Sequence, residues 1–182
     1  MERSFAYVAL FAALIAVLGL VPSFMLITGV PISAQSLGVM LAGCVLGAKR
    51  GALAVLLFLL LVALGLPLLA GGRGGLGVFV GPTAGFLVGF PVAAFVTGWI
   101  TERWRGLDLS LVAGVAALVG GVLVMYAFGT AGMVLAAGLS PVQAVTALAP
   151  FVPGDIIKAA IAGVVTRAIW QARPQAVLSR SG

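Results

Sequence analysis

The sequence predicts an all-α integral membrane protein of about six transmembrane helices with a glycine-rich extracytoplasmic loop. Three observations carry this. Of 182 residues, 63% are hydrophobic and only 8% charged. A soluble domain has roughly 25% charged residues, so this chain has too little polar surface to dissolve it. The apolar runs are hydrophobic all round rather than along one stripe, the pattern of helices that face lipid or one another. Those runs are broken by Gly, Pro and single charges at intervals that suit about 20 residues per crossing, so residues 1–182 form one domain with no room for a soluble catalytic one.

In chain order the expected spans are 5–21, 36–48, 51–69, 84–101, 109–128 and 153–170. The first carries no Ala-x-Ala cleavage pattern at a suitable distance and reads as a retained span rather than a signal peptide. The second is short unless it starts near Pro31. Residues 71–86 contain too many glycines for a stable helix and read as a re-entrant or capping loop, whose bare N–H groups, at Gly81 for example, can approach a ligand closely. Residues 131–149 are apolar but cut by Ser140-Pro141, a helix cap followed by Pro at the first position, and read as a short helix near the surface.

Orientation follows from the Lys and Arg count in short loops. With six alternating spans, Arg3, Lys49, Arg50, Arg103, Arg105, Arg173 and Arg180 fall on one side and only Arg73 on the other. Both termini are therefore expected in the cytoplasm. Trp99, Trp104 and Trp170 reach the same boundary, as indole rings at a headgroup layer should. The net charge of +6 is thus a topology signal and not a nucleic-acid footprint, because the basic residues are scattered singly between apolar runs.

The chain has no histidine and one cysteine, Cys44, which removes intrachain disulfides, cysteine metal clusters and most general-base chemistry. No Walker pattern is present, so any ATP is handled by a partner. Asp155 and Lys158 are the acid and the lysine well inside a span, where a centred charge costs about 2.5 to 3.5 kcal/mol on insertion scales. Their i, i+3 spacing puts both on one helix face, and Pro153-Gly154 sets Asp155 in the first turn, where the helix dipole favours its ionised form. The pair either neutralises itself against a neighbouring helix or clamps a ligand.

Arg73 is either a solvated loop arginine or a two-pronged partner for a carboxylate. Gln35 can bond another helix or a ligand. Alternation brings 31–35, the glycine loop, 140–150 and the Asp155/Lys158 pair to one outer end, where Phe79, Phe86, Tyr126 and Phe151 can supply apolar walls for a pocket. In the first span Ala9/Ala13 and Ala12/Ala16 form small-xxx-small pairs that admit a close helix neighbour, within the chain or from another subunit.

Three stretches resemble the biotin-specific substrate-binding component of energy-coupling factor transporters: Pro31-Ile32-Ser33-Ala34-Gln35-Ser36 running on to Gly43, Gly81-Pro82-Thr83-Ala84-Gly85-Phe86 running on to Phe90, and Pro150-Phe151-Val152-Pro153-Gly154-Asp155-Ile156-Ile157-Lys158. The second departs from the family pattern of two glycines and a tyrosine after Gly-Pro-Thr, since Ala84, Gly85 and Phe86 stand there. The resemblance implies a six-helix protein of a bacterial or archaeal cytoplasmic membrane that binds biotin as transported ligand, without a cofactor or catalysis of its own. Its implied partners are a membrane coupling subunit, docked through Ala9 and Ala13, and two ATPases. Asp155 and Lys158 would contact the ligand. Biotin offers ureido N–H donors, a ureido carbonyl, an apolar body and a carboxylate, so Asp155 would accept, Lys158 donate, and Arg73 take the tail. A stand-alone or proton-coupled carrier for biotin or another small carboxylated vitamin, with Asp155 as the protonatable group, is the competing reading. An intramembrane enzyme lacks its usual parts here: His, a second buried acid, or a nucleophile beside a base.

Overall fold

A computed structural model describes residues 2–25 and 30–180. Met1 and Gly182, which end the expected topology, and the side chain of Arg3 lie outside the described residues. The chain runs through α1 (Glu2–Gly19), an antiparallel pair β1 (Phe24–Met25) and β2 (Pro31–Ile32), α2 (Gln35–Leu46) and α3 (Ala48–Ala63). After a long loop come α4 (Ala84–Arg103), α5 (Leu109–Leu118), α6 (Met125–Ala137), α7 (Pro141–Thr146) and α8 (Val152–Ala172).

The core is built around α2. Every residue of this helix except Leu37 is buried, and it packs against α1, α3, α4 and α8. A helix that is apolar all round belongs inside. Its 12 residues rise only about 18 Å, less than the roughly 30 Å of a hydrocarbon core. Among the described residues two helical rods are by themselves long and apolar enough to cross a membrane, Ala84–Arg103 and Leu109–Ala137.

Several boundaries differ from those expected. The second and third spans are not separated by a loop: Gly47 alone reverses the chain at φ 85°, so Lys49 and Arg50 sit in the first turn of α3. A side chain at Gly47 would run into the Glu102 carboxylate, which accepts the Ala48 N–H at 3.0 Å. Helix α3 stops at Ala63 rather than Leu69, because Gly65 at φ 102° and Pro67 end it. The glycine loop holds a 3-10 turn at Leu76–Phe79, and its last residues, Ala84 to Phe86, already belong to α4. The fifth span does not end at 128. A π turn at Val119–Val124 joins α5 to α6, and the rod continues until Gly138 caps it at φ 66°. The Ser140 cap is as expected, with Gln143 completing a reciprocal capping box.

The bundle has two chemically distinct ends. At one, Glu102 meets the start of α3, Arg167 pairs with Asp108 at 3.0 Å, and Arg180 donates to the Trp104 carbonyl. Partial burial and, second to it, the neighbouring Arg105 charge lower the Arg180 pKa from its usual value. Ser179 donates to the Cys44 carbonyl at 2.6 Å, tucking the tail beneath α2. Trp99 and Trp104 are about half exposed there, with the Arg103 guanidinium 5.5 Å from the Trp99 ring. The opposite end gathers β2, the long loop, and the starts of α2, α4 and α8.

Candidate functional site

Asp155 enters the first turn of α8 because Pro153 initiates the helix and the Asp155 N–H bonds the Phe151 carbonyl. One turn on, Lys158 reaches back, so Nζ lies 2.8 Å from Oδ1 of Asp155. The same ammonium donates to the Ser33 carbonyl at 2.7 Å and to Ser36 Oγ at 3.0 Å, which uses all three of its protons. Ser36 in turn donates to Oδ1 of Asp155 at 3.1 Å. The other carboxylate oxygen accepts from the Tyr126 hydroxyl at 2.8 Å. Asp155 is only 4% exposed, so its charge is held by three donors rather than by water.

Tyr126 stands here because of the π turn before it. A π turn holds one residue more than an α turn, which rotates the following side chains by roughly 100°. Met125 and Tyr126 both line the cleft, and the Tyr126 hydroxyl reaches Asp155 on α8. Gly120-Gly121 allow the turn to press against Thr97 and Met40.

These groups open into a cleft of about 60 Å³. Its apolar wall is led by Phe86 and Phe151, stacked at 6.4 Å with an interplanar angle of 28°. Arg73 lines the rim, tied by Nε to the Ala70 carbonyl at 3.2 Å and by Nη1 to Thr83 Oγ1 at 3.4 Å. Partial burial lowers its pKa from the usual value. The arginine is thus neither freely solvated nor ion-paired among the described residues.

Gln35 also lines the cleft, yet its amide is mostly committed elsewhere. Nε2 donates to the Ile15 and Leu68 carbonyls at 3.3 and 3.0 Å, and Oε1 accepts the Ala70 N–H at 2.9 Å. It clamps α1 and the long loop to α2, leaving one oxygen lone pair. Two expected contributors lie elsewhere. Gly81 does not line the cleft; its carbonyl accepts the Ala84 N–H in the turn that starts α4. Phe79 packs against the core from the 3-10 turn. Conversely, sequence reasoning passed over Ser33, Ser36 and Thr83, although all three lie inside the quoted stretches; short hydroxyls carry no hydropathy signal strong enough to mark them. Ala9 and Ala13 face outward on α1, whereas Ala12 is buried.

An acceptor and an ammonium side by side, aromatic walls and a guanidinium rim define the class: an all-α membrane protein with a small-molecule cleft at one end. A sequence model of the BioY family matches residues 2–175. The chain belongs to the BioY family. It is 57% identical over 189 residues to a biotin transporter of Rhodobacter capsulatus, covering 99% of this chain and 100% of that one. It is 51% identical over 178 residues to a biotin transporter of Rhizobium etli, covering 94% and 95%. The fold is similar to a crystal structure of the S-component for biotin from an ECF-type ABC transporter, with a TM-score of 0.88 and 29% identity over 93% of this chain and 92% of that one.

Proposed function

We propose that this chain binds biotin with high affinity and takes part in its uptake as the substrate-binding component of an energy-coupling factor transporter. The observation that carries the reading is the Asp155, Lys158, Tyr126 and Ser36 cluster in an aromatic-walled cleft, in a chain of the BioY family. A ureido ring supplies an N–H donor for the lone pair left free on Oδ2 of Asp155 and a carbonyl for Lys158. Because the three protons of Lys158 are already bonded, the ligand carbonyl must replace one acceptor, and the Ser33 carbonyl, which lies in the loop between β2 and α2, is the one it replaces. The cleft of about 60 Å³ is well below the roughly 300 Å³ of ligand-holding pockets, so β2 and the long loop open to admit biotin. Arg73 is positioned for the valerate carboxylate, and the glycine loop then closes over the apolar body.

The single domain of residues 1–182 crosses a bacterial or archaeal cytoplasmic membrane six times, with the cleft facing outward and both termini inward. The gathering of Arg and Trp at the end opposite the cleft supports that orientation. A cysteine introduced at Arg103 that reacted with an impermeant reagent in intact cells would overturn it. The chain is not an enzyme; a membrane coupling subunit and two ATPases supply the energy, and the outward-facing Ala9 and Ala13 are the docking stripe for the first of these. Equilibrium binding of labelled biotin to the purified chain tests the reading. Saturable binding, with no competition from an analogue lacking the ureido ring, is expected; absence of saturable binding by folded protein overturns it.

A further inference from the structure

A second concavity of about 810 Å³ runs along the outside of the bundle between α1, α3 and α4, far from the cleft. Its wall is apolar and bulky, led by Phe5, Leu53, Leu56, Leu60, Phe95 and Trp99. At its head stand Lys49 and Arg50, both exposed and without a hydrogen-bond or ion-pair partner among the described residues. Arg103, stacked on Trp99, adds a third cation beside the head. Among the described side chains, the carboxylate lining the groove is Glu102, which accepts the Ala48 N–H at 3.0 Å. Among the described side chains, three cations stand against one acid, and two of the cations occupy the first turn of a helix, where the dipole disfavours them. From Lys49 to Leu60 the groove follows α3 for about 16 Å, close to the roughly 15 Å depth of one leaflet's hydrocarbon.

We propose that this groove holds one anionic glycerophospholipid, its phosphate headgroup on Lys49 and Arg50 and an acyl chain laid along Leu53, Leu56 and Leu60. The match of a cationic head to an apolar track of leaflet depth is what a phospholipid presents, and juxtamembrane cations of this kind attract anionic headgroups. A partner helix is the poorer fit. Helices in lipid approach one another over small residues, and most of this wall is Leu, Phe and Trp, with Ser4 and Ala48 its only small members among the described residues.

The test is lipid retention. The full chain is reconstituted in vesicles of equal phosphatidylglycerol and phosphatidylcholine, extracted in mild detergent, and its bound phospholipid quantified by mass spectrometry. Phosphatidylglycerol should be enriched at least fivefold at about one molecule per chain, and the enrichment should fall as salt is raised, as screening of a phosphate contact requires. K49Q/R50Q should bring the two lipids to parity, and Leu56→Trp, which fills the track, should lower the amount of both. Biotin binding by these variants should stay at the wild-type level, because none of the three positions touches the cleft. Equal retention of the two lipids by the wild type, or an enrichment indifferent to salt, overturns the proposal. So does a Leu56→Trp chain that keeps its lipid but loses assembly with a coupling subunit, which would assign the groove to a protein partner.

Discussion

Tyr126 on α6 and Asp155 on α8 are joined by a 2.8 Å hydrogen bond to Oδ2, while Lys158 and Ser36 hold Oδ1. Both carboxylate oxygens are thus oriented before any ligand arrives, and a preorganised acceptor loses less on binding than a mobile one. Tyr126→Phe removes one of the three supports without leaving a buried donor behind. Biotin should bind about tenfold more weakly, the roughly 1.5 kcal/mol of a hydrogen bond to a charged group. Equilibrium binding reads this directly; unchanged affinity would mean that the phenol only packs.

Asp155 and Lys158 separate a ligand clamp from a self-neutralising pair. Asp155→Asn or Lys158→Ala should weaken biotin by at least about 2 kcal/mol, roughly 30-fold, since truncation removes a charge-assisted bond and strands the other charge. The double change should recover thermal stability, because no unpaired charge is then buried, yet binding should stay weak. A folded double variant with wild-type affinity would sink the clamp.

Gln35 ties three segments through its amide. In Gln35→Leu the buried Ala70 N–H loses its acceptor, so stability should fall by about 2 kcal/mol. The loop between α3 and α4 should also become more open to proteases. Thermal unfolding in detergent combined with limited proteolysis checks both effects, and a protein that melts and resists cleavage as before would show that the clamp is dispensable.

Ala9 and Ala13 are exposed along α1. Ala9→Leu and Ala13→Leu should weaken assembly with a coupling subunit while leaving biotin binding near wild type, because bulk blocks close helix approach without touching the cleft. Pull-down and binding, measured on the same preparation, should part company; equal loss of both would mean that these alanines serve the chain's own packing.

Composition and punctuation alone determined the class of this protein. An all-round apolar chain with 8% charge has no stable soluble form, and Ser140-Pro141, Pro153-Gly154 and the glycines of the long loop mark their boundaries through local backbone chemistry that needs no tertiary partner. The i, i+3 spacing of Asp155 and Lys158 likewise put them on one face, because helix geometry is local. Tertiary packing decided what those residues touch. The π turn before Tyr126 is not visible in hydropathy, and Gly120-Gly121 let it lie against Thr97 and Met40, residues far away in the chain. The reach of Gln35 to Ile15, Leu68 and Ala70 spans 20 to 35 residues of chain. The same physics explains why the place of Ser36 in the cluster is not legible in the sequence: a hydroxyl or a bare N–H has value at a site only once distant segments have been folded against it, and no periodicity in one dimension encodes that distance.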